Sequence, residues 1–125
     1  MKLEAPILQE TRLEASRIGC RLFRNNRGFF YTMDGRKTRA GLEVVGSSDL
    51  VGFTPLTITQ DMVGKTVAVL LCVETKKSTW KKPTSDHERE QESFINFING
   101  NGGIAFFLNN ASDLKKKIDE RITSL

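Results

Sequence analysis

The chain has 125 residues, 38% of them hydrophobic and 27% charged, with 19 Lys and Arg against 15 Asp and Glu for a net charge of +4. That is an ordinary globular balance over the length of one domain, enough to bury a core without disulfide or metal staples, and it argues against long disorder. The most apolar run, Val67–Val73, has the length of a strand and falls far short of a bilayer span.

In chain order, Glu4 to about Ile18 reads as a helix. Pro6 is tolerated only in a first turn, which fixes the start near Leu3–Ala5. Ile7, Thr11, Ala15 and Ile18 form one stripe that Leu8 widens, and Gly19 is a C-terminal stop. Arg21–Arg24 suggests a short strand, Asn25-Asn26-Arg27-Gly28 a turn, Phe29–Tyr31 a further strand, and Asp34-Gly35 another turn. Residues 36–48 are mostly polar and glycine-bearing, so a loop is expected. Asp49–Phe53 reads as a strand, and Thr57–Thr59 as an extension of a neighbouring ribbon. Thr66–Thr75 is the strongest strand signal, apolar on both faces as in a central strand covered by helices.

Lys76–Ser85 is a basic loop. Ser85 with Glu88 three positions on makes a capping box for a second helix running to about Asn99, where Gln91, Phe94, Ile95 and Ile98 share a face. Glycines end it, and Ile104–Leu108 is a last apolar strand. Asn110, with Asp113, caps a final helix whose stripe is Leu114, Ile118, Ile122 and Leu125. The order α-β-β-β-β-α-β-α predicts an α/β fold with a mixed central sheet flanked by helices. Phe29, Phe30, Phe94, Phe106 and Phe107 are expected in the core, and Trp80 against a lysine stem or a nucleobase.

The two cysteines, Cys20 and Cys72, read as buried thiols. His87 is the only histidine, so a Cys/His zinc site lacks ligands. Met1-Lys2-Leu3-Glu4 does not open a signal peptide, which makes a reduced, cytoplasmic compartment the expectation. Basic residues fall in three clusters: Arg12 to Arg27, Arg36 to Arg39, and Lys76, Lys77, Lys81 and Lys82. Together they raise the expectation of a polyanionic partner.

The chemistry concentrates around the strongest strand. Glu74 and Lys76 end it at i, i+2, so alternation places both on one face. Asp49 opens another strand after Gly46-Ser47-Ser48. Charges at the end of so apolar a strand need solvent, a partner or a metal. Two carboxylates suit Mg²⁺, which prefers oxygen ligands and keeps waters for a phosphate substrate.

Gly46-Ser47-Ser48-Asp49 followed by Glu74-Thr75-Lys76 resembles the PD-(D/E)XK nuclease signature. The whole ordered set resembles the VRR-NUC branch of that superfamily: Glu4 and Gln9 on the first helix, Arg24-Asn25-Asn26, Gly46 to Asp49, Glu74 to Lys76, Gln91-Glu92-Ser93-Phe94, and Gly102-Gly103-Ile104-Ala105. The wider superfamily often has Pro before the catalytic Asp, where this chain has Ser48. The resemblance implies a restriction-endonuclease-like core and a metal-dependent DNA endonuclease leaving 5′-phosphate and 3′-hydroxyl ends. It assigns Asp49, Glu74 and the Thr75 carbonyl to Mg²⁺, with Mn²⁺ as substitute. Lys76 would be the catalytic lysine, Glu4 (or else Glu10) the helix acid, and Gln91 a supporting residue. Arg24, Asn25, Asn26 and Arg27 would face DNA, with Lys77, Lys81 and Lys82 adding basic surface. Stand-alone members of the branch resemble Holliday-junction resolvases that act as homodimers on branched DNA and suit a bacterial or phage setting. Flap, nicked or plain duplex substrates remain open, as does a non-catalytic DNA-binding module on the same fold.

Overall fold

The computed structural model describes residues 3–26, 28–42 and 46–125. The fold is mixed α and β, with three α-helices, six strands and two short 3-10 turns among those residues. The strands pair two by two, in three two-stranded sheets. The single mixed sheet expected from the sequence is thus resolved into smaller ribbons. The chain divides into two compact units, residues 1–56 and 57–125.

In the first unit, α1 (Glu4–Arg17) begins two residues before Pro6, where the missing amide is harmless. Gly19 stops it as expected, at φ +89°, and Cys20 N donates to Ala15 O at 2.8 Å. The buried side of α1 is narrower than its predicted stripe: Ala15 is buried and Leu8 half-buried, while Ile7 and Ile18 stay exposed. Ile7, Thr11, Ala15 and Ile18 line an open groove against β1 (Arg21–Arg24) and β4 (Leu50–Phe53). These two strands pair antiparallel, Leu22 opposite Gly52. Glycine is required at 52, because a Cβ there would lie 1.8 Å from Arg21 O.

A separate hairpin joins β2 (Gly28–Tyr31) to β3 (Lys37–Ala40). Thr32 N donates to Arg36 O, and Gly35 turns the chain at φ +85°. β3 corrects the expectation of a loop across residues 36–48. Its residues are polar and carry no apolar alternation, but the Asp-Gly turn folds them back onto β2.

The second unit opens with Gln60–Met62 as a 3-10 turn, and Thr57–Thr59 joins no ribbon. β5 (Leu71–Thr75) runs parallel to β6 (Ile104–Leu108), with α2 (Asp86–Gly100) as the crossover. β5 is half as long as its apolar run because its partner begins only at Ile104, opposite Leu71, just after Gly103. The strand covered on both faces is β6, not β5. Ile104, Ala105, Phe106 and Leu108 are all buried, whereas Leu71 and Val73 stay exposed. Ile104, Phe106 and Leu108 cluster with Ile118 of α3 (Leu114–Thr123), and Ile95 and Ile98 supply the buried side of α2.

Capping follows the sequence closely. Ser85 Oγ accepts from Glu88 N at 3.1 Å. Asn110 caps a 3-10 turn, Ala111–Asp113, which then passes into α3. Leu114 and Ile122 of α3, and Leu125 just beyond it, are more exposed than a buried stripe would require. Phe29, Phe30 and Phe94 also lie at the surface, unlike the expected core set, while Phe106 is buried and Phe107 half-buried.

Candidate functional site

The side chains of β5 alternate as the sequence predicts. Cys72, Glu74 and the following Lys76 are half-buried on one side, and Leu71, Val73 and Thr75 are exposed on the other. Parallel pairing sets Cys72 opposite Ala105 and Glu74 opposite Phe107. Lys76 N donates to Leu108 O at 2.8 Å, carrying the ladder one residue past β5. The half-buried side faces α2. Glu74 lines a groove there with Cys72, His87, Glu90, Gln91 and Ile95.

Lys76 is the centre of the polar network. Its Nζ donates to Gln91 Oε1 at 2.7 Å and lies 3.2 Å from Glu88 Oε2. The ammonium also sits 5.5 Å from the Phe107 ring and 5.8 Å from the Trp80 ring, within cation–π range. Both charged side chains are largely shielded, 14% exposed for Lys76 and 16% for Glu88. Removal of either would leave the other charge poorly solvated.

Glu88 links this network to the helix cap. Its Oε1 accepts from Thr84 N at 3.1 Å, and its Oε2 accepts from Trp80 Nε1 at 2.5 Å. The amide of Thr84 first, then the Trp80 indole and Lys76, hold the carboxyl down from 4.5 to about 2. Trp80 packs on Phe107 with ring centroids 4.6 Å apart and planes tilted by 39°, and Asn109 Nδ2 donates to Trp80 O at 2.8 Å. The basic loop is therefore anchored through the Trp80 indole and through its backbone carbonyl. On the far side, Gln91 Nε2 lies 3.4 Å from His87 Nε2. Burial raises the Cys72 thiol, which disfavours a reactive thiolate, and both cysteines are free.

Of the residues named from sequence, Glu74, Lys76 and Gln91 come together in this unit. Thr75 ends β5, and Lys77, Lys81 and Lys82 are exposed on the loop that follows. The expected placing of Trp80 by a lysine is met by Lys76, 5.8 Å from its ring, but the Trp80 bond to Glu88 and the Glu88–Lys76 pair have no counterpart in the sequence reading. Glu88 read only as a capping residue, and its reach toward the Lys76 side chain has no spacing signature across a loop.

In the first unit, Asp49 is exposed at the head of β4, and its carbonyl accepts from Asn25 N at 2.9 Å. Asn25 organises the preceding turn. Its Nδ2 donates to Ser47 Oγ at 3.1 Å and to Ser48 O at 2.8 Å, and its Oδ1 accepts from Leu42 N at 2.9 Å. That side chain is committed to the fold of the turn leading to Asp49. Glu4 opens α1 exposed, Glu10 borders the groove beside β1 and β4, and Arg24 and Asn26 are exposed. Arg27 lies outside the described residues.

Among the described residues, no group of three or more His, Cys, Asp or Glu side chains is placed to hold a metal alone. No helix among them is long and apolar enough to cross a membrane. Compared with family models, with curated proteins and with solved structures, the chain matches none.

Proposed function

We propose that the protein is a metal-dependent DNA endonuclease of PD-(D/E)XK type, acting on branched DNA as a homodimer in the manner of a junction resolvase. The observation that carries this is the Lys76–Gln91 hydrogen bond of 2.7 Å beside Glu74 on one side of β5. Two strand residues that the family resemblance singles out, Glu74 and Lys76, thus share one side of β5 with a third, Gln91, from the following helix. The ordered motif along the chain and the net charge of +4 support the same assignment.

The donor chemistry fits Mg²⁺. Glu74 offers a carboxylate and Thr75 a carbonyl, and Asp49 is the further carboxylate that the resemblance assigns. Few protein ligands suffice, because Mg²⁺ keeps several waters and takes the rest from phosphate. When bound, the ion would polarise the phosphoryl oxygen and make a bound water more acidic.

The chain's own residues then have separate tasks. Glu74, with the Thr75 carbonyl, would hold the cation at the end of β5. Lys76 presents an ammonium, fixed by Gln91 and Glu88, to charge growing on the phosphoryl oxygens. Gln91 spends its carbonyl on orienting Lys76 and leaves its amide on the groove side, near His87. Exposed Lys77, Lys81 and Lys82 offer contacts to the flanking backbone. A dimer would bring two such sites to a symmetric junction.

The test is cleavage of a labelled four-way junction beside a matching linear duplex, with Mg²⁺ or Mn²⁺. Wild type should nick the junction in pairs, Glu74→Ala should be inactive, and Lys76→Ala should lose about a hundredfold or more in rate. Equal cutting of both substrates would keep the nuclease and remove the junction preference. Binding without any cutting by wild type would overturn the enzyme assignment in favour of a binding module.

A further inference from the structure

We infer that one face of the β2–β3 hairpin binds unpaired bases. This rests on the nucleic-acid proposal above for the source of the bases, which the single-stranded arms of flap or forked DNA carry. Pairing sets Phe29 opposite Arg39 and Tyr31 opposite Lys37, so all four side chains share one face of the ribbon. Lys37 Nζ lies 4.3 Å and the Arg39 guanidinium carbon 5.2 Å from the Phe29 ring centre.

The face is open to solvent: Phe29 is 55% and Tyr31 75% exposed, and both cations are exposed too. Among the described residues neither Lys37 nor Arg39 pairs with a carboxylate; the acid of the turn, Asp34, is taken by Arg36 at 2.9 Å. Two exposed rings flanked by two cations that no described carboxylate neutralises match the chemistry of single-stranded nucleic acid. Rings stack on bases of any identity, and cations neutralise the phosphates between them. The charge favours this polyanion over a second copy of the same basic face. A duplex keeps its bases stacked inside and would engage only the cations.

The measurement is binding to a fluorescent single strand and to the matching duplex, without divalent metal. The variants are Phe29→Ala with Tyr31→Ala, and Lys37→Gln with Arg39→Gln. Aromatic loss should weaken single-strand binding about tenfold or more, with little change for duplex. Loss of the two cations should weaken both and flatten the salt dependence, by a slope of about 1.4 on the single strand. Phe29→Tyr, which keeps a ring, should bind as wild type. A strand carrying 5-iodouracil should photocrosslink within residues 28–40. Unchanged single-strand affinity in the aromatic double variant, with circular dichroism matching wild type, would overturn the proposal. A shift of that variant from dimer to monomer, with single-strand affinity unchanged, would also overturn it and make the face a subunit contact. A wild type that never cuts DNA yet loses single-strand binding with the rings would remove the nuclease and leave this face standing.

Discussion

Lys76 and Glu88 form a shielded ion pair of 3.2 Å in which the acid, in the first turn of α2, also accepts from Thr84 N just ahead of the helix. The lysine of the proposed site is thus set by a residue in the first turn of the crossover helix. With the Glu88 carboxyl held near 2, the folded chain binds fewer protons than the unfolded chain at acid pH. The stability it contributes is complete above about 4.5 and is lost as pH falls toward about 2.

Urea midpoints measured across that acid window should therefore fall more steeply for wild type than for Glu88→Gln. Trp80 is the only tryptophan and donates to Glu88, so its emission reports the same network directly. Equal pH slopes for the two proteins would show that the carboxylate is not held in this way.

Ile98 is the most deeply buried large side chain described, 1% exposed, packed at the end of α2 beside β6. Ile98→Ala should cost about 2–5 kcal/mol, since it removes buried methyl groups and leaves a cavity. Denaturant unfolding followed through Trp80 should show a lower midpoint with an unchanged m value. A loss under about 0.5 kcal/mol, the range of an ordinary surface substitution, would contradict the packing described.

Asn25→Ala should destabilise the first unit by about 1–3 kcal/mol, because it strips partners from Ser47, Ser48 and Leu42. Asn26→Ala, at an exposed neighbour, should stay within about 0.5 kcal/mol of wild type. Thermal unfolding of the pair separates a turn-building residue from its exposed neighbour. Similar melting of both variants would deny Asn25 its structural role.

The sequence was legible where a local rule and a packing need agree. Ser85 and Glu88 mark the start of α2, Gly19 ends α1, and alternation puts Glu74 and Lys76 on one side of β5. Helical spacing placed Gln91 with Ile95 and Ile98. Where a partner decides the outcome, the residues alone were silent. β3 is polar and exists because β2 lies beside it, and β5 is cut short by the start of β6. Hydrophobicity suggested burial for Phe29 and Phe30, but among the described residues no second layer covers this ribbon. The Glu88–Lys76 pair was hidden because one carboxylate serves two tasks.

Asn99 serves a purpose apart from chemistry. Its side-chain amide takes both backbone groups of Ala105, accepting from the N–H at 2.8 Å and donating to the C=O at 3.0 Å. It occupies the place that the next strand of a sheet would fill. A strand as apolar as Ile-Ala-Phe-Phe-Leu with an open edge would be a template for another chain. At Ala105 a helix side chain closes that edge, so the molecule gains protection from aggregation where its most adhesive strand would otherwise recruit a neighbour.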